Sequence, residues 1–436
     1  MRENDIIMVQ NSKEYKKRIA DILLEEKLDA MGAVLIEGPK ACGKTTTAEQ
    51  HAQSILYMDD PENIKQNLQL AETNIKRLLQ GKTPRLIDEW QIAPQLWDAI
   101  RFETDHRDDD GLFMLTGSAV PADISKIHHT GAGRFAWLTM RPMTLWESGE
   151  SSGTVSMKAI FSHPENVDGE NPLTMEDIAF AICRGGWPKS LNKKTKKAAL
   201  RQATEYFEAI TRSDLSRVDG IQRDEHRAKR LMRSYARLQG AMATIPTILA
   251  DMKSNETDEM SDETVVSYIR ALKKIFVIED MPAWNPNLRS KTAIRTSDTR
   301  YFIDPSIAIA ALGIGPDDLM NDLETMGLFF ETLCVRDLRV YAEANDGNVF
   351  HYRDKSGLEC DAVVHLRNGS YGLIEIKLGG ERLIEEGATN LLSLADKIDT
   401  SKMKKPSFMM VLTAVGQYAY LRSDGVMVVP IGCLKD

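Results

Sequence analysis

The feature that most narrows what this chain can fold into is one eight-residue run, Gly38-Pro39-Lys40-Ala41-Cys42-Gly43-Lys44-Thr45. It fits the pattern GxxxxGK followed by Ser or Thr. An apolar stretch at 33–36 precedes it and a helix-compatible run at 44–53 follows. In that context the glycines let successive backbone N–H groups turn inward around phosphate oxygens, and the helix N-terminus adds a favourable dipole. Gly38, Pro39, Lys40, Ala41, Cys42, Gly43, Lys44, Thr45 and Thr46 are therefore expected to line the phosphates of ATP. Lys44 would supply charge to the β and γ groups, and the Thr45 hydroxyl would coordinate Mg²⁺.

The surrounding 150 residues agree with that loop. An opening helix is expected at 13–31, with Ile19, Ile22 and Leu23 at helical spacing, and short apolar runs recur at 55–58, 86–87, 112–115 and 135–140. Strands alternating with helices point to a mostly parallel α/β sheet covered by helices. The run at 84–87 ends in Asp88-Glu89; Asp88 suits a Mg²⁺-water partner and Glu89 suits polarising the attacking water. The strand at 112–115 leads into Thr116-Gly117-Ser118, whose hydroxyls (Thr116, Ser118) are placed to sense a γ-phosphate. Arg134, after Gly131-Ala132-Gly133, is a candidate arginine finger acting on a neighbour's nucleotide, which would require a homo-oligomer.

Composition sets the limits. A length of 436 residues is about three average domains. With 42% hydrophobic and 27% charged residues, disorder is excluded for most of the chain. The longest uncharged stretch, 406–421, is too short and polar to span a bilayer, and the first 17 residues lack the apolar core of a signal peptide. A cytoplasmic protein with no membrane role is expected. Five widely spaced cysteines argue against a disulfide framework or a structural zinc site. A net charge of -9 argues against a uniformly basic surface while leaving room for a local basic patch.

Residues 148–172 are rich in Ser, Gly, Asn and Pro and read as a linker. Helical patterns follow from 174 to about 274, then strand-like runs at 275–278 and 300–303, an order that suggests a winged-helix unit. The excursion between them carries Arg289, Lys291, Arg295 and Arg300 against Asp298, a local excess suited to DNA. The expected division is 1–150, a linker at 151–173, 174–320 and 321–436.

Near the C-terminus, residues 359–366 and 371–378 read as a β-hairpin. Ala362, Val364 and Leu366 share one face of the first strand; Gly372, Ile374, Ile376 and Leu378 share one face of the second. Burying both sets together requires an odd-numbered loop with Gly369 at positive φ, because a two-residue turn would put them on opposite faces. A three-residue loop at 367–369 sets Asp361 opposite Glu375, with Lys377 on the same face. Two facing carboxylates repel unless a cation or proton lies between them, and Mg²⁺ is the natural cation. Lys377 could then act on a metal-bound water, and Glu331 from the preceding helix could add a third acid.

Taken together, the chain resembles prokaryotic P-loop ATPases of the AAA superfamily that carry a C-terminal domain of unknown function. The resemblance rests on GPKACGKTT, LIDEWQ, LTGSA and GR…RPMTLWE, then RGGWP at 184–188, YFIDPSIA at 301–308, GLFFETL at 327–333 and HYRDKSGLECD…LIEIK. It implies a RecA-like P-loop NTPase core, a helical winged-helix-like middle region and a restriction-endonuclease-like α/β C-terminal domain. In that last fold Glu331, Asp361, Glu375 and Lys377 match the acid, acid, acid and lysine positions.

Two functions follow as expectations. One is an ATPase whose nucleotide state controls DNA engagement, with a Mg²⁺-dependent nuclease site. The other is a nucleotide-dependent protein-binding or remodelling switch whose nuclease-like domain is a silent scaffold.

Overall fold

The computed structural model describes residues 15–107, 109–117, 130–255, 260–287 and 294–436. The five early apolar runs form strands β1 (Ala33–Glu37), β2 (Ser54–Tyr57), β3 (Arg85–Asp88), β4 (Phe113–Thr116) and β5 (Phe135–Thr139). All pair in parallel, in the order β2-β3-β4-β1-β5. Both faces of the central strands β1, β3 and β4 are buried, which is why they read as continuous apolar runs rather than alternating ones. Val34, Ile36, Met114 and Leu138 face the helix Ile19–Ala30 and the first helix after the loop. Ala33, Leu35, Phe113 and Leu115 face the helix Leu96–His106 through Trp97 and Ile100. The opening helix begins at Ile19, later than the sequence pattern suggests.

Residues 151–173 are not a free linker. Within them β6 (Val155–Ser156) pairs with β14 (Leu434–Lys435), and β7 (Gly169–Glu170) pairs with β12 (Tyr418–Leu421). Val155, Met157 and Ile160 are buried, and Ser151 Oγ donates to Leu434 O at 2.7 Å. The polar composition hid three apolar side chains that fasten this segment to the chain's own C-terminus.

The middle region is helical: Met175–Arg184, Lys196–Ala209, Glu225–Arg237, Ile245–Asn255 and Asp262–Lys274, with a π-helical turn at Ile210–Asp214. Where wing strands are expected at 275–278 and 300–303, the described residues form no strand, only isolated antiparallel bridges of Ile278 with Phe302 and, just outside those runs, Met281 with Thr299.

The C-terminal part is a seven-stranded mixed sheet, ordered β7-β12-β13-β11-β10-β9-β8. It is completed by β8 (Gly347–Arg353), β9 (Glu359–Leu366), β10 (Tyr371–Lys377), β11 (Phe408–Thr413) and β13 (Val426–Pro430). Ala362, Val364, Ile374 and Ile376 join one core with the helix Leu323–Glu343, and Val363, Leu373 and Val411 join another with the helix Glu381–Lys397. The hairpin loop is the three residues 367–369: Leu366 N–H donates to Ser370 O at 2.8 Å, and Gly369 has φ +80. No described helix is long and apolar enough to cross a membrane.

Candidate functional site

The loop after β1 turns as its glycines permit. Gly38 has φ +146, and a Cβ there would lie 2.1 Å from Met140 O; Gly43, at φ +109, caps the helix Lys44–His51. The parallel register sets Asp88 beside Thr116 at the strand ends that flank the loop. Thr45 Oγ1 donates to Asp88 Oδ1 at 2.9 Å, and Thr116 Oγ1 donates to the same oxygen. Lys44 is buried, with Nζ donating to Gly38 O at 2.9 Å and Pro39 O at 2.8 Å. Glu89, in left-handed backbone at φ +53, accepts from Gln91 Nε2. Burial, then the Asp88 charge, raises its carboxyl pKa above the usual range. These groups fit a nucleotide with Mg²⁺: a hydroxyl and a carboxylate in contact at the end of the loop, with a second carboxyl beside them. Cys42 is buried, its Sγ donating to Met140 O at 3.4 Å, while Thr46 is exposed. Ser118 lies outside the described residues.

Several residues the sequence reading missed hold this loop. Arg18 is buried; NH1 donates to Cys42 O at 2.9 Å and NH2 to Arg141 O at 2.8 Å. Its Nε lies 3.0 Å from Glu147 Oε1 in a geometry too bent for a hydrogen bond, so that contact is electrostatic. Glu147 also accepts from Thr144 N in a capping box, a pattern that Thr-x-x-Glu in the sequence displays. Arg18 has no such local signature. Lys40 Nζ reaches Asp214 Oδ1 at 2.6 Å, at the end of the π-helical turn. Arg141 grips Glu279 with two bonds (2.8 and 2.7 Å) and Glu343 with a third at 2.9 Å. A buried hub joins the same regions. Arg336 bonds Asp304 and Asp337 (both 2.8 Å); Asp304 accepts from Gly186 N and Asp337 from Leu145 N. At Gly186 a Cβ would lie 2.1 Å from Met143 O, which accounts for the second glycine of RGGWP.

The carboxylate hairpin has the geometry its parity demanded, but its charged face is interior. Glu375 is 1% exposed, and Gly387 of the helix Glu381–Lys397 lies over it. Lys377 Nζ sits 2.6 Å from Glu375 Oε2 and 3.2 Å from Asp361 Oδ2, and Ile376 N–H donates to Asp361 Oδ2 at 2.7 Å. Neither Glu375 oxygen accepts a well-formed hydrogen bond. Burial, then the Asp361 charge, raises the Glu375 pKa. Burial would lower the Lys377 pKa, but Asp361 and Glu375 outweigh it and raise it. Glu331 accepts from Tyr301 Oη; its pKa is pushed up to about 8 by burial and then by Asp361. Among the described residues no group of three or more His, Cys, Asp or Glu comes together to hold a metal ion. Any cation held by Asp361 and Glu375 would compete with Lys377, while Glu331 feels the Asp361 charge.

Comparison with known proteins finds similarity along most of the chain. An AAA domain matches residues 31–148, and a domain of unknown function (DUF4143) matches 326–434. The chain thus joins an AAA domain to a C-terminal domain of unknown function. A further domain of unknown function (DUF8612) matches residues 175–318. Uncharacterized proteins of Mycobacterium tuberculosis and Mycobacterium bovis are each 21% identical over 417 residues, 95% of this chain and 83% of theirs. A Walker-type ATPase of Pyrococcus abyssi is similar over 67% of this chain and 94% of its own, at 14% identity and a TM-score of 0.40.

Two expected site elements stand differently in space. Arg134 O accepts from Ala33 N at 3.1 Å, so the residue sits where β1 begins, while the phosphate loop leaves where β1 ends. Five strand residues separate the two, roughly 16 Å at about 3.3 Å each. Arg134 pairs with Asp105 and does not complete its own chain's site. On the wing, Arg300 is tied to Asp280 and to Ala243 O rather than free for DNA; Arg295 is exposed, and Arg289 and Lys291 lie outside the described residues.

Proposed function

We propose that this chain hydrolyses ATP and that its nucleotide state sets how the middle and C-terminal regions engage DNA. The observation that carries the ATPase half is the contact of Thr45, Asp88 and Thr116 beside Lys44, with Glu89 next to them. Thr45 and Asp88 would hold Mg²⁺, which supplies charge neutralisation to the β and γ phosphates when bound. Lys44 adds charge to the same groups, and backbone N–H groups of 38–45 orient them. Glu89 accepts a proton from the attacking water, and its raised pKa brings it nearer the operating pH than an ordinary carboxylate. The coupling half is supported by the ties from the loop and β5 to the other regions: Lys40 to Asp214, and Arg141 to Glu279 and Glu343. Arg134 would act only on a neighbouring subunit's nucleotide, in a homo-oligomer.

Calorimetry with ATP and Mg²⁺ tests the reading, together with ATP turnover of Glu89→Gln. Binding should persist in the variant while hydrolysis falls by about 10²–10⁴; no heat of binding in the wild type would refute the proposal.

The Asp361–Glu375–Lys377 cluster supports a second reading, a silent scaffold inside a protein-binding switch. Lys377 already lies against both carboxylates and offsets part of their charge without any metal ion. Mn²⁺ titration of the wild type against Glu375→Ala separates the readings: saturable binding lost in the variant favours a nuclease-type site, and equal weak binding favours the scaffold.

A further inference from the structure

On a chain of net charge -9, residues 189–197 hold five lysines (Lys189, Lys193, Lys194, Lys196, Lys197) and no acid. All five are exposed. The cations elsewhere in the middle region are largely spent on neighbours: Arg212 and Lys229 on Glu208 and Glu225, Arg223 on Asp219, Arg237 on Asp251, Arg300 on Asp280. Among the described residues none of the five lysines has a carboxylate partner; Lys196 rests 5.1 Å from the Phe180 ring centroid. Their arrangement carries a cost. Lys196 and Lys197 open the helix Lys196–Ala209, whose first turn has no acid to offset them. Cations at a helix N-terminus face the positive end of the helix dipole, which is unfavourable. Like charges this close also repel one another.

The turn adjoins the nucleotide site. Pro188 begins the short helix Pro188–Leu191, and its Cγ lies 3.6 Å from where a Cβ on Gly43 would be.

We infer that the turn 189–197 is a binding surface for the phosphate backbone of a nucleic acid, beside the phosphate loop and separate from the wing. It rests on the DNA-engagement reading above and names the surface that reading lacks now that Arg300 is tied down. Residues 192–197 read Asn-Lys-Lys-Thr-Lys-Lys, with no aromatic or aliphatic side chain. A protein partner wants a buried apolar or aromatic anchor, and a membrane surface wants apolar side chains to insert. Flexible ammonium groups alone suit evenly spaced phosphates, read without sequence preference.

The test is fluorescence anisotropy of the full-length chain on a duplex and on a single strand across a salt series, with anionic vesicles as a third arm. The variant replaces Lys193, Lys194, Lys196 and Lys197 by Gln, against an all-Arg replacement and Arg295→Gln. Removing four phosphate contacts should flatten the duplex slope of log K against log salt by about 3.6, at about 0.9 per contact. Low-salt affinity should fall at least about tenfold, the all-Arg form should bind as the wild type, and ATP turnover without nucleic acid should be unchanged. If the wild type binds and the Gln variant keeps its affinity and slope, the surface is wrong while DNA engagement stands. If the wild type binds no nucleic acid even at low salt, DNA engagement falls and the surface with it. Lysine-dependent binding to vesicles but not to nucleic acid would also overturn the inference.

Discussion

Arg18→Met should destabilise the AAA domain far more than one surface-proximal arginine usually does. The side chains of Arg18 and Glu147 are 4% and 2% exposed. Removing one member of a buried pair leaves the other charge uncompensated, at about 3–5 kcal/mol. Glu147 keeps two backbone donors, Ile19 N at 2.8 Å and Thr144 N at 2.9 Å, so the charge term belongs near the lower end of that range. The carbonyls of Cys42 and Arg141 each lose a donor as well, at about 1 kcal/mol apiece. The total is roughly 5 kcal/mol, set by the charge term more than by the lost hydrogen bonds. Urea unfolding followed by the fluorescence of Trp90, Trp97, Trp137 and Trp146 would measure it. Nucleotide affinity should fall in parallel, because Cys42 O belongs to the phosphate loop. The double variant Arg18→Met/Glu147→Gln should recover about 1–2 kcal/mol, since no charge is then stranded. A cost below about 1 kcal/mol for Arg18→Met, with additive effects in the double variant, would refute the reasoning.

Other perturbations bear on separate parts of the structure. Gly38→Ala should abolish nucleotide binding in calorimetry, because its Cβ would stand 2.1 Å from Met140 O in left-handed backbone. Asp214→Asn should weaken the tie to Lys40 and alter the ATP dependence of limited proteolysis in the middle region, with Asp214→Glu restoring it; an unchanged pattern would count against coupling through that pair. For Glu279, burial alone would raise the pKa, but Arg141 and Arg339 outweigh it and lower the carboxyl to about 2. Its unfolded value is about 4.3. A depressed carboxyl contributes stability above the unfolded value that disappears as pH falls through the folded one. The penalty of Glu279→Gln in urea unfolding should therefore be flat from pH 8 to about 5 and shrink below about 4. Because the Glu279 side chain keeps 27% exposure, the effect should be smaller than for a fully enclosed pair.

Much of this protein was legible from consecutive residues. The phosphate loop, the acidic end of β3 and the three-residue hairpin loop with Gly369 at positive φ all follow from local backbone geometry and side-chain alternation, which a few neighbouring residues dictate. Tertiary structure alone decided the rest. Residues 151–173 join the C-terminal sheet because Val155, Met157 and Ile160 find a core contributed by distant parts of the chain. Arg134 stands at the far end of β1 and Arg300 is spent on Asp280. The clamp of Arg18 and the tie of Lys40 cross 129 and 174 positions to reach Glu147 and Asp214. An ion pair is favourable wherever two opposite charges are brought close and dried. No spacing rule announces it, and only the folded chain chooses which of its many charges meet.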